Sequence, residues 1–119
     1  MPNPDSPDSR RDIQARLDEL RTRYAASLPH KVRQLQAHWE AVCAAPDEPR
    51  PREQLELACH KLAGSGSSYG FPLITRHARE AETLLRKSHG RPLTSRERHQ
   101  IETLLQRLAE SAQHPEIRS

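Results

Sequence analysis

The stretch richest in chemistry is Cys59-His60-Lys61-Leu62-Ala63-Gly64-Ser65-Gly66-Ser67-Ser68-Tyr69-Gly70. Ala58 and Leu62 lie two residues either side of His60. At about 100° per helical residue, that spacing turns the histidine away from the apolar face they define. His60 is therefore expected on the surface. An ordinary imidazole has a pKa near 6.5, so an exposed one is largely a free nucleophile near neutrality and needs access rather than an activating base. Glu53, Glu56, Gly64 and Ser67 recur at helical spacing on the same side. Glycine inside a helix costs about 0.8–1 kcal/mol relative to alanine. This segment nevertheless carries Gly64 and Gly66 among serines, where no core position asks for them. A surface kept bare beside the imidazole, so that a flat partner can reach it, is the expectation.

The elements that must hold this stretch read as helices. Leu and Ala together number 27 residues against 6 Ile and Val, a balance that suits helix better than sheet. Apolar residues recur at helical spacing through Ile13, Leu17, Leu20 and Tyr24, and again through Val32, Leu35, Trp39 and Val42 after Ser27-Leu28-Pro29, where a break is expected. Ala45 to Arg52 reads as a loop. A third helix carries Leu55, Ala58 and Leu62 and ends near Tyr69-Gly70-Phe71-Pro72. A fourth runs through Ile74, Ala78, Ala81, Leu84 and Leu85 to His89-Gly90, and the last opens on the capping-box spacing Thr94 to Glu97. The expected fold is all-α, an up-down antiparallel four-helix bundle with an additional N-terminal helix packed across it. Residues 1–8 are expected as a disordered tail, 9–112 as the bundle and 113–119 as a frayed tail.

Composition narrows the function. A chain of 119 residues is one domain's worth. With 19 Lys and Arg against 16 Asp and Glu, interleaved, the net charge of +3 does not describe a nucleic-acid binder. Neither a membrane-spanning run nor a signal-peptide pattern is present, and two cysteines without metal-type spacing suggest a reducing cytoplasm. Cys59 beside His60 makes no metal site, because adjacent helical positions point about 100° apart and no second pair completes it. His77 falls near a core-facing stripe, Trp39 and Tyr24 read as core, and Arg76, Arg79 and Arg86 read as a solvated basic face that could also meet an acidic rim.

The pattern His60-x-Leu62-x-Gly64, followed by small residues, Gly70 and Phe71, resembles the histidine-containing phosphotransfer (HPt) domains of bacterial phosphorelays over residues 9 to 112. The resemblance implies that His60 is the phosphorylated histidine, Leu62 a core leucine, Gly64 the glycine that admits the receiver domain and Gly70 the glycine closing the helix. Many family members carry a lysine three residues after the histidine; this chain has Ala63, and Lys61 could supply the charge from the flank. Glu56 could orient the ring through its unreactive nitrogen or only form a surface pair worth a few tenths of a kcal/mol, about the usual value. Ser67 could touch the phosphoryl oxygens or only bond to backbone.

The implied function is that of a free-standing, monomeric, cytoplasmic phosphoryl carrier. It has no ATP site and no cofactor of its own, with Mg²⁺ expected on the partner. Its partners would be response-regulator receiver domains or a hybrid histidine kinase, with neither nucleic acid nor membrane involved. The alternative is a helical adaptor that binds a receiver or kinase and regulates it by occupancy, without phosphotransfer.

Overall fold

The computed structural model describes residues 7–115, and the outer parts of both expected tails, 1–6 and 116–119, lie outside the described residues. Four helices follow one another: α1 (Pro7–Ala44), α2 (Pro49–Tyr69), α3 (Pro72–Lys87) and α4 (Ser95–Gln113). Packing runs α1 on α2, α2 on α3, α3 on α4 and α4 back on α1, which closes a four-helix bundle around one core. The α2–α3 interface is the most extensive of the four.

The expected break at Pro29 does not occur. Pro29 lies inside α1, a single helix of 38 residues, so the described residues form four helices where five were expected, and none of these packs across the bundle. A proline inside a helix costs about 3 kcal/mol or more. Tyr24, Leu28, Val32, Leu35, Trp39 and Val42 form one continuous buried stripe across that point. Each such side chain contributes about 1.5–3 kcal/mol on burial, so packing overrides the local breaker. Pro7 and Asp8, expected in the tail, begin α1, and Gln113 ends α4.

The loop expected over Ala45 to Arg52 shrinks to four residues because Pro49 and Pro51 sit in the first turn of α2, where a missing N–H leaves no helical bond unmade. Arg52 is buried, and its guanidinium donates to the carbonyl of Arg91, tying the α3–α4 connection to α2. Gly70 caps α2 at φ 81°, its N–H donating to the carbonyls of Gly66 and Ser67. A φ in that range favours glycine, and Gly70 closes the helix as the resemblance implied. Gly90 takes φ 86° in the α3–α4 connection. The Thr94–Glu97 capping box forms, and Arg91 grips the Glu97 carboxylate with both terminal nitrogens at 2.7 and 3.0 Å. That grip holds Glu97 down at about 2.

Candidate functional site

Helix α2 presents two unlike faces. Leu55, Cys59, Leu62 and Ala63 point into the core, whereas His60, Lys61 and Gly64 are exposed. The His60 side chain keeps 70% of its surface open, as its helical phase predicts. The opposing face of α3 is built from Ile74, Ala78, Ala81 and Leu85, with the two alanines fully buried. Small residues let the helix axes approach closely. A Cβ added at Gly66 would lie 2.9 Å from Thr75 Oγ1 and 3.2 Å from Ile74 Cγ2. The α3 packing therefore explains Gly66, contrary to the expectation that core burial asks for neither glycine. Gly64 differs: a Cβ there would meet nothing within 4 Å, so the surface one turn beyond His60 is open.

Close approach of α2 and α3 brings a residue that spacing along α2 could not reveal to the imidazole. Glu82 Oε2 lies 2.6 Å from His60 Nδ1, and the Glu82 side chain is only 10% exposed. A carboxylate only accepts hydrogen bonds, so Nδ1 carries the proton and donates it. The tautomer is thereby fixed, with the lone pair on Nε2, which has no protein partner among the described residues. Arg86 Nη2 contacts the other oxygen of Glu82 at 3.2 Å. A guanidinium on that carboxylate offsets its negative charge where an incoming anion would otherwise be repelled. Arg86 keeps 60% of its side chain exposed, in line with the basic face expected of it, and in addition grips Glu82.

Glu56 does not orient His60. Its Oε1 lies 2.8 Å from Nε2 of His89, so a second His–Glu pair ties α2 to the α3–α4 connection. Lys61 is exposed and lines the groove between α1 and α2 with Lys31, His38 and Leu57, on the opposite flank of α2 from Glu82. Ser67 is exposed near the α2 end, beside Gly70, Phe71 and Thr75, and its carbonyl accepts from Gly70. The neighbouring serines are engaged elsewhere. Ser65 Oγ pairs with the Tyr24 hydroxyl at 2.7 Å, and Ser68 donates to the Gly64 carbonyl. Cys59 is fully buried, and burial first, then the carboxylates of Glu82 and Glu56, push its thiol up to about 12, so it stays protonated beneath the site. Among the described residues no cluster of three or more His, Cys, Asp or Glu could hold a metal ion. No helix among them is long and apolar enough to cross a membrane.

Sequence reasoning thus anticipated the exposure of His60 and the open space at Gly64 and missed Glu82. The signal was present. Glu82 stands four residues after Ala78, one after Ala81 and three before Leu85, a carboxylate on the inward stripe of α3. A buried carboxylate requires a partner. The family model of the Hpt domain matches residues 8–111, nearly the whole chain. No curated protein and no solved structure is matched.

Proposed function

Because the chain belongs to the Hpt domain family, whose members serve histidine phosphotransfer in two-component signalling, we propose that it is a cytoplasmic phosphoryl carrier with His60 as phosphoacceptor. It takes the phosphoryl group from one receiver-domain aspartate and gives it to another. The observation that carries this reading is a surface imidazole whose Nδ1 is held at 2.6 Å by a nearly buried carboxylate while Nε2 stands open to solvent.

Nε2 attacks the phosphorus of an aspartyl phosphate, the P–O bond to the aspartate breaks, and an N–P bond forms. The ring gains positive character as it does so, and Glu82, hydrogen-bonded to the Nδ1 proton throughout, stabilises it. Phosphoryl transfer through a loose transition state demands mainly positioning and charge neutralisation. Glu82 supplies the first, while Arg86 and the partner supply the second, with Mg²⁺ bound on the receiver. Arg86, rather than Lys61, is the cation on the Glu82 side of α2, where Ala63 leaves no lysine. Open space over Gly64 lets the receiver surface settle within the roughly 3–3.5 Å that the reacting groups require.

The test is incubation with a phosphorylated receiver domain and Mg²⁺, followed by a search for an acid-labile, base-stable phosphate on this chain. His60→Gln should abolish labelling while helicity and melting stay nearly unchanged, because an exposed side chain contributes little to stability. Labelling that persists in the variant refutes the assignment of His60. A wild-type chain that binds the receiver without taking phosphate establishes the adaptor reading instead.

A further inference from the structure

Helix α1 outruns the bundle. Its 38 residues span about 57 Å, against about 32 Å for the 21 residues of α2, and the long dimension of the molecule is 60 Å. Tyr24 marks where α2 ends alongside α1. It stacks on Tyr69 with ring centres 4.6 Å apart, lies 5.2 Å from Phe71 and bonds Ser65, all in the last turns of α2 or just beyond. Leu17, seven residues earlier, therefore stands about 10 Å past that level.

The projecting turns are not uniformly polar. Ile13, Leu17 and Leu20 extend the core-facing stripe of Tyr24 at spacings of four, three and four residues, the pattern of a helix-pairing seam. Ile13 and Leu17 are 57% and 41% exposed. The charges beside this seam are sorted. By helical phase Arg16 and Arg23 border one side and Arg10 and Arg21 the other, while Asp8, Asp12, Asp18 and Glu19 fall farther round, with Arg11 among them. The acids hold these arginines only loosely, at 3.9 Å for Arg16–Glu19 and 4.0 Å for Arg21–Asp18. Arg16 is 69% exposed and Arg21 24%, and helix-surface i,i+3 pairs of that length release their cations readily.

We propose that the projecting part of α1 is a docking arm for a helix of another protein, one with an apolar ridge bordered by Asp and Glu. Residues bordering a helix seam face their counterparts across it in either orientation, so two copies of this arm would set arginine against arginine. An acid-bordered helix sets carboxylates there instead, and the seam's charge pattern selects it. The arm is separate from His60, which sits mid-helix on α2, and the inference does not depend on phosphotransfer.

The experiment titrates the full chain with a synthetic helical peptide of about three heptads carrying Leu at a and d and Glu at e and g, alongside a second peptide with Lys at e and g. NMR shifts of the Ile13 and Leu17 methyls report binding. Only the Glu peptide should bind, and raising salt to about 0.5 M should weaken it about tenfold or more by screening the rim charges. Ile13→Ser with Leu17→Ser should abolish binding without altering the fold, since both side chains are exposed. Arg16→Glu with Arg21→Glu should transfer the preference to the Lys peptide. The proposal is overturned if the Glu peptide fails to bind or if both peptides bind alike. It is equally overturned by a concentration-dependent dimer that the serine variant loses, or by anionic lipid vesicles shifting the same methyls more strongly than the peptide does.

Discussion

Replacing Glu82 by glutamine keeps the side chain's shape and removes its charge, which isolates what the carboxylate does for His60. The wild-type contact is a charge-assisted hydrogen bond of 2.6 Å from Nδ1 to a side chain 10% exposed. Bonds of that kind contribute about 1.5–3 kcal/mol against about 0.5–1.5 kcal/mol for neutral pairs. The difference, about 1–1.5 kcal/mol, corresponds to a rate loss of roughly five- to tenfold if it is expressed in the transition state. A second effect acts in the same direction. A glutamine amide can accept from Nδ1–H or donate to a bare Nδ1, and the second arrangement moves the ring proton to Nε2, where it blocks attack. The assay pairs phosphoryl uptake from phosphoramidate, which needs no docking partner, with ¹⁵N spectra of the imidazole. Glu82→Gln should slow uptake five- to tenfold or somewhat more and replace a single Nδ1–H tautomer by a mixture. Melting should change little, because the Arg86 left behind is 60% exposed and solvated. Wild-type uptake with a wild-type tautomer in the variant refutes the role assigned to Glu82.

Three further outcomes follow from the packing. Gly66→Ala should destabilise the bundle measurably in urea, since its methyl meets Thr75 and Ile74, whereas Gly64→Ala, with nothing within 4 Å, should stabilise it by up to about 1 kcal/mol. Pro29→Ala should raise stability by about 1–2 kcal/mol in the same assay, restoring a helical bond to the Ala25 carbonyl and relieving the ring clash, less the loss of proline's restraint on the unfolded chain. His77 is buried with Nδ1 unpartnered, and burial foremost, opposed by Glu80 and aided by Arg107 and Arg76, holds its pKa below the ordinary 6.5. The unfolded chain therefore takes up the proton first. Stability should be full above about pH 6.5 and fall as pH drops below it, and His77→Leu should flatten that slope while leaving neutral-pH stability equal or up to about 1 kcal/mol higher.

The amphipathic stripes, the Thr94 cap, the helix end near Gly70 and the exposure of His60 were all legible in the sequence, because each depends on residues within a turn or two of one another. The misreadings share a different character. Pro29 is a breaker by local rules, and only six side chains buried on α1 against other helices overrule it. Gly66 looked like a companion of Gly64, yet its reason is the approach of α3, a surface that α2 periodicity does not describe. Glu56 sits one turn from His60 and was the natural candidate to orient it. The contact that forms instead crosses 22 positions of chain to Glu82. Local spacing states which face a residue occupies, whereas partners across an interface require the rotation of two helices about each other.

That rotation also accounts for the departure at position 63. Ala63 is 3% exposed and belongs to the α2 surface that packs in the bundle interior, as do Cys59 and Gly66 on the neighbouring turns. A lysine there would have to carry its stem out of the packed interior to reach solvent. Tight α2–α3 packing and a cation at position 63 are therefore competing solutions. This chain has the first, and the same packing brings Glu82 under the imidazole and Arg86 onto Glu82. On the proposed reading, the positive charge near the phosphoryl group comes from α3 and is fixed through the carboxylate that fixes the ring. Position and charge then depend on a single interhelical contact, so any substitution that spreads α2 from α3, Gly66→Ala included, should slow transfer by displacing Glu82 even where the bundle still folds.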